Sequence, residues 1–164
     1  MGSEMCLRDS PRTLAKMLEA VDVTDNELVL DVGAGYGYSS AIIAYLAEAV
    51  VALESDDKPA SEMQNALIEH GIDNVIVEQG PLLDGAASHA PYDVIFLQGG
   101  VEFIPEQIIS QLKEGGRMVA LFMEDALGTV KIGYKVKGGL NWRFAFNAGA
   151  PVLSDFEKEK TFIL

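Results

Sequence analysis

Leu28-Val29-Leu30-Asp31-Val32-Gly33-Ala34-Gly35-Tyr36-Gly37 decides how this chain of 164 residues is read. An apolar run with an acid near its end has the character of a buried strand, and three alternating glycines then turn the chain into a helix-like segment, Tyr38 to Ala49. Glycines so spaced permit positive φ and let a ligand approach the backbone without meeting a Cβ. A dinucleotide loop, G-x-G-x-x-G, would need its third glycine at Tyr38, so the nicotinamide reading loses an anchor. Such a turn can also serve packing alone, and its place in the chain separates the two uses. Val50-Val51-Ala52-Leu53-Glu54 is a second buried-strand run ending in an acid, about twenty residues past the loop, where a ribose-binding carboxylate belongs. The alternative for Glu54 is a solvated strand end, with Asp56 and Asp57 competing for the same role.

Strand-like and helix-like runs alternate outward from this centre, the pattern that yields a parallel sheet covered on both faces. Leu14, Met17, Leu18 and Val21 recur at helical spacing over Pro11 to Val21, with Pro11 suited to a first turn and Ser10 to a cap. A helix is expected from Lys58 to His70, ending at Gly71, and a third strand from Asn74 to Glu78. Pro91 to Leu97 reads as a buried fourth strand with Gln98-Gly99-Gly100 as a loop at its carboxyl end. A short helix over Pro105 to Leu112, a turn at Glu114-Gly115-Gly116 and a fifth strand over Arg117 to Met123 follow. Beyond this, Thr129 to Val136 and Trp142 to Phe146 alternate about Lys137-Gly138-Gly139, a hairpin signal, and Phe162 to Leu164 suggests one more strand. The carboxyl-terminal part is therefore expected to be antiparallel on the edge of a parallel sheet. Trp142 and Phe144 could line a peptide groove, although their alternate spacing is commoner for residues facing a core.

Composition supports one compact domain over residues 1–164, with 49% hydrophobic residues. The formal charge of -13 argues against general nucleic-acid binding, although Lys131, Lys135 and Lys137 form either a local basic patch or the solvated face of a strand. Cys6 is the only cysteine, which suits a reducing cytoplasm and rules out an internal disulfide. No apolar run reaches the length of a membrane span, and His70 and His89 are too isolated to suggest a metal pair.

With an acid two residues before the first glycine, the loop resembles the nucleoside-binding loop of S-adenosylmethionine-dependent methyltransferases. A longer stretch makes the likeness specific. VLDVGAGYGYSSA at Val29 to Ala41 is similar to the first motif of protein-L-isoaspartate O-methyltransferases, PYDVIFLQGG at Pro91 to Gly100 to their fourth-strand motif, and IPEQIISQLKEGGRMV at Ile104 to Val119 to the following helix and strand. This resemblance implies a Rossmann-like α/β fold: a mostly parallel sheet with helices on both faces and an antiparallel carboxyl-terminal edge. It implies S-adenosyl-L-methionine as cofactor, with Asp31, Gly33, Ala34, Gly35 and Gly37 around its amino-acid part and Glu54 and Ser55 at the ribose. Gln79 and Gly80 fall near the adenine, and Gln98 near the crevice where the strand ends converge.

The implied reaction is methyl transfer to the α-carboxylate of an L-isoaspartyl residue in a damaged protein or peptide. The ester then leaves as the neighbouring backbone nitrogen closes a succinimide, which reopens partly to normal aspartate. The resemblance also leads one to expect a longer segment before the first motif. Where the family carries a hydroxyl two positions before a proline this chain has Asp9, and Ser10 is the nearest hydroxyl for the acceptor carboxylate, in competition with its capping role. Glu78-Gln79-Gly80 stands where the family has an acid between two glycines. Other readings of these residues are a methyltransferase for a different small-molecule or protein acceptor, and a nucleoside-binding module without turnover.

Overall fold

A computed structural model describes residues 10–160; Cys6, Asp9 and the Phe162–Leu164 segment lie outside the described residues. The elements in chain order are α1 (Pro11–Val21), β1 (Leu28–Val32), α2 (Tyr38–Ala44), β2 (Ala49–Glu54), α3 (Asp57–Glu69), β3 (Val75–Gln79), β4 (Tyr92–Val101), α4 (Glu106–Ile109), β5 (Leu112–Glu124), β6 (Leu127–Val136) and β7 (Gly139–Asn147). The seven strands form one sheet in the order β3-β2-β1-β4-β5-β6-β7. The first five are parallel, and β6 and β7 are antiparallel additions. The connections change direction between β1 and β4, which opens a crevice at their carboxyl ends.

Alternation along each strand sends side chains to two cores. Val29, Val50, Val94 and Phe96 face α1 and α2 through Met17, Val21, Ile43 and Ala44, and Ala52 on the same face meets Met63 and Leu67 of α3. Leu30, Val51, Leu53, Ile95 and Leu97 face the other way. That side is covered by the single turn of α4 and by 3-10 turns at Leu82–Asp84 and Ser154–Phe156, with Ile108, Leu82 and Phe156 as the buried contacts. Longer helices thus cover one face and short turns the other.

Several expected boundaries move, each for a local reason. The helix after the glycine loop ends at Ala44 rather than Ala49, because Leu46 and Ala47 both bond back to Ile43 and Glu48 N–H then joins Glu27 O at 3.0 Å, drawing the chain into β2. Gln98-Gly99-Gly100 is part of β4, not a loop. The strand continues through an irregularity between Phe96 and Gly100, and Gly100 pairs with Leu121 and Val152. The helix expected to reach Leu112 stops at Ile109, since Gln111 turns inward to accept from Ala86 N–H and donate to Asp84 O. Glu114-Gly115-Gly116 is a bulge inside β5, between the pairs Tyr92/Leu112 and Val94/Arg117. At the tip of the hairpin Lys137 and Gly138 have φ of 52° and 78°, the two positive values of a type I′ turn, as the Lys-Gly-Gly signal predicts.

One ion pair fixes α1 on the sheet. The Arg117 guanidinium donates to both oxygens of Glu27, at 2.7 and 2.9 Å, and also to the carbonyls of Val21 and Asp22. This clamps the carboxyl end of α1 to the amino-side half of β5. The helix therefore runs back along the sheet with Ser10 toward the end where the strand carboxyl termini lie, and on the way Lys16 rests 5.4 Å from the Phe146 ring.

Candidate active site

The glycine loop lies where β1 passes into α2, and its shape follows from three positive φ values, 79° at Gly33, 59° at Gly35 and 90° at Gly37. The N–H groups of Gly33 and Ala34 both bond to Leu53 O, at 2.9 and 3.0 Å, which ties the start of the loop to the end of β2. The three glycines have different physical reasons. A Cβ on Gly37 would lie 2.5 Å from Met63 Cγ, so this position is required by packing against α3. At Gly35 a Cβ would meet nothing within 4 Å. The open space beside Gly35 is the part of the loop that can take a ligand.

Glu54 ends β2 beside that space, with only 2% of its surface exposed. One carboxylate oxygen accepts Gly35 N–H at 3.0 Å, and the other accepts Ser55 N–H at 2.8 Å and Asp56 N–H at 3.3 Å. A carboxylate offers about four acceptor positions, so three backbone donors leave one, and the long Asp56 contact is the easiest to exchange. Three N–H groups holding one carboxylate make a rigid acceptor at the rim of the crevice. Gly80 N–H bonds to Glu54 O at 3.1 Å, and Gln79 is the register partner of Glu54 on β3. The Gln79 side chain is exposed and lines a shallow groove with Ser61, Gln64 and Asn65 of α3.

At two of the expected ligand positions the side chains bond to protein groups. Asp31 is fully buried, and both of its oxygens are taken by protein donors: Ser39 and Ser40 hydroxyls each at 2.6 Å on Oδ2, and Gln98 Nε2 at 2.9 Å on Oδ1. Burial pushes its carboxyl up from the usual range, the three hydrogen bonds pull it back, and the Glu54 charge pushes it up again. Asp31 and Gln98 therefore brace the loop from beneath, joining β1, α2 and β4, and their side chains point at each other rather than into the crevice. Ser39 and Ser40 were missed by sequence reasoning. Their signal was the pair of hydroxyl residues at the start of the helix, within bonding reach of a buried acid one turn back. Leu153 was also missed: it packs against Gly99, where a Cβ would come within 2.7 Å of its Cγ, and approaches Gly33, so the chain after β7 walls the crevice.

Ser10 occupies the cap position of α1, its carbonyl accepting Leu14 N–H at 3.0 Å, while its hydroxyl makes no capping bond. The hydroxyl is thus not consumed by the helix. His89 donates to the Glu78 carboxylate at 2.9 Å, and among the described residues no group of three or more His, Cys, Asp or Glu is placed to hold a metal. Tyr36, inside the loop, is 40% exposed, and Phe144 is 64% exposed rather than core-facing, while Trp142 packs edge-on to Phe122 at 4.9 Å.

The sequence profile of the protein-L-isoaspartate(D-aspartate) O-methyltransferase family matches residues 4–135. The chain belongs to this family. A protein-L-isoaspartate O-methyltransferase 2 of Polaromonas sp. is 38% identical over 125 residues, covering 74% of this chain and 59% of the relative. A protein-L-isoaspartate O-methyltransferase 1 of Rhodopseudomonas palustris is 38% identical over 109 residues, covering 66% of this chain and 44% of that protein. The chain thus spans about half the length of the curated relatives it matches. Among solved structures, a protein-L-isoaspartate O-methyltransferase superposes with a TM-score of 0.81 at 27% identity, covering 88% of this chain and 47% of that one. A beta-aspartate methyltransferase from Plasmodium falciparum, in complex with S-adenosyl-L-homocysteine, shares the fold with a TM-score of 0.71 at 18% identity, covering 88% of this chain and 74% of that one.

Proposed function

We propose that this chain forms one methyltransferase domain that binds S-adenosyl-L-methionine and transfers its methyl group to the carboxylate of L-isoaspartyl residues in damaged proteins and peptides. The observation that carries the reading is the pairing of Glu54 with the open side of Gly35 within a chain of this family. The donor set fits the cofactor: a carboxylate acceptor for a ribose diol, a glycine with free space beside it, and an acidic neighbourhood of Glu54, Asp56 and Asp57 that favours a cation. When bound, the sulfonium supplies an electrophilic methyl group. Gly33, Ala34, Gly35 and Gly37 shape the pocket for its amino-acid part, Asp31 and Gln98 hold that loop in place, and Glu54 takes the ribose hydroxyls in exchange for Asp56 N–H, with Ser55 beside it. Gln79 and Gly80 border the adenine.

An acceptor carboxylate is ionised at neutral pH, so the step needs no strong general base. The protein's contribution is to align the carboxylate with the carbon–sulfur bond and to exclude water. Ser10, on the same end of the sheet and with its hydroxyl unconsumed, is the proposed donor to that carboxylate. The setting we infer is cytoplasmic, with protein acceptors and neither nucleic acid nor membrane as partner. Its support is the lone Cys6 and the acidic charge, and no helix of the described residues is long and apolar enough to cross a membrane.

The test is incubation with methyl-labelled S-adenosylmethionine and an isoaspartyl peptide beside its normal aspartyl twin. Label on the isoaspartyl peptide alone is expected. Equal labelling of the twins, or none while S-adenosylhomocysteine still binds by calorimetry, overturns the acceptor assignment.

A further inference from the structure

The chain carries 25 acidic residues against 12 basic ones, yet Leu127 to Asn147, the whole of the β6–β7 hairpin, contains Lys131, Lys135, Lys137 and Arg143 and no acid at all. These cations have different employments. Lys135 Nζ donates to the carbonyls of Ile109 and Leu112 and is structural. At the tip, the Glu114 carboxylate accepts the N–H groups of Lys137 and Gly138 and brings a negative charge beside Lys137. Lys131 and Arg143 lie over aromatic rings, Lys131 at 5.4 Å from Phe122 and Arg143 at 5.2 Å from Tyr134. Among the described residues neither has a carboxylate within ion-pair distance.

The hairpin also has an unpaired edge. β7 is last in the sheet, and its outer side meets no described strand. The register shift at Val130/Lys131 places an extra residue, Ala145, in β7 and leaves Leu140–Phe144 as the regular stretch of that edge. Because β7 runs in the same direction as β5, its Asn147 end reaches the side of the sheet where the glycine loop lies. There a groove of about 660 Å³ opens, lined by Phe122, Glu124, Leu127, Thr129, Lys131 and Asn147. Strands lie about 4.8 Å apart, so a strand added outside β7 lies about 24 Å across the sheet from β1, which an extended chain covers in about seven residues.

We infer that the β6–β7 hairpin is a docking surface for the acceptor polypeptide, which lays an extended acidic segment along β7; Lys131 and Arg143 stand on opposite faces of the hairpin, and the alternating side chains of the segment bring one carboxylate to each. This rests on the proposed isoaspartyl reading, since the occupant is the flank of that acceptor. Main-chain bonds from the Leu140–Phe144 edge supply the part of the contact that does not depend on side chains, and the two cations select acidic flanks about seven to eleven residues from the methylated group. In a chain of charge -13 this patch also relieves the repulsion an acidic substrate would otherwise meet.

The test uses fluorescein-labelled isoaspartyl peptides whose flank, about seven to eleven residues from the isoaspartate, carries either glutamates or glutamines, with binding to the full chain read by fluorescence polarisation. The glutamate peptide should bind about three- to tenfold tighter at low salt, and the advantage should shrink at high salt. In the Lys131→Gln/Arg143→Gln double variant the two peptides should bind alike, while S-adenosylhomocysteine affinity stays unchanged. An equal affinity of the two peptides for the unaltered chain, or an advantage that survives in the double variant, overturns the docking surface. So does a labelled single-stranded oligonucleotide of matched charge that displaces the glutamate peptide, which would assign the patch to nucleic acid. Because binding is read without turnover, failure of the methyl-transfer assay with both peptides counts against the isoaspartyl reading alone.

Discussion

Two regions of the sheet handle charge in opposite ways. Around β1 and β2 the ionisable groups are buried and held by several donors: Asp31 takes three side-chain donors, and Glu54 takes three backbone ones. On β6 and β7, Lys131 and Arg143 stand over rings, and among the described residues neither has a carboxylate within ion-pair distance. A buried, satisfied carboxylate is held in one geometry and suits a small ligand of fixed shape. A surface cation on a flexible stem tolerates many geometries and suits a variable polypeptide. The difference matches the two substrates that the proposed reaction needs.

The largest effect expected from this contrast is on stability at the glycines. Gly37→Ala places a Cβ 2.5 Å from Met63 Cγ at a φ of 90°, combining overpacking with backbone strain, and should cost about 2–4 kcal/mol in urea unfolding. Gly138→Ala in the hairpin turn, also at positive φ but with nothing within 4 Å, should cost only about 1 kcal/mol. Equal losses would show that the loop is no more tightly specified than the hairpin.

Next comes binding. Glu54→Ala removes a charged acceptor from the rim of the crevice and should weaken S-adenosylhomocysteine by about 1.5–3 kcal/mol in calorimetry. Lys131→Gln should leave that affinity untouched. A loss confined to melting temperature, with affinity retained, would move the ribose contact away from Glu54.

The same contrast marks what could be read in advance. The strand-to-loop passage at Leu28 to Gly37 is legible because its apolar run and alternate glycines have few structural solutions, and the hairpin is legible because two glycines stand between alternating runs, although the positive φ values fall at Lys137 and Gly138. The inward orientation of Asp31 was hidden, since it depends on Ser39, Ser40 and Gln98 arriving from two other elements. Gly99 and Gly100 read as a loop because glycine is a poor strand former. Pairing of Gly100 with Leu121 and Val152 imposes the strand from outside, and close packing requires that both lack side chains, Leu153 lying against Gly99 and Met123 against Gly100. The spread of charge was present in composition, but which cations remain unpartnered is a tertiary fact.

Acid stability separates the clamp under α1 from both regions. Hydrogen bonding to Arg117 holds the Glu27 carboxyl at about 2 instead of 4.5. A lowered folded value means that the pair stabilises fully above about pH 4.5 and that this contribution is lost as pH falls toward 2. Since the pair is partly screened by solvent, a loss of about 1–2 kcal/mol is expected over that window. Glu27→Gln should flatten the fall in melting temperature between those pH values, and an unchanged slope would assign acid unfolding to other carboxylates.

The smallest effect discriminates within the hairpin itself. Lys135 and Lys131 are four residues apart on β6 and equally charged, but Lys135 bonds to Ile109 O and Leu112 O at 3.1 and 2.7 Å, whereas Lys131 bonds to no protein acceptor among the described residues. Lys135→Gln leaves the carbonyls of Ile109 and Leu112 without their cation and should cost about 0.5–1 kcal/mol of stability with no change in peptide affinity. Lys131→Gln should do the reverse, leaving the melting temperature within about 0.5 kcal/mol of the parent while lowering affinity for the glutamate-flanked peptide. If both substitutions weaken the peptide equally, the hairpin acts through its summed field and no single cation is a contact. If only Lys131 matters, a peptide carboxylate reaches that ammonium directly.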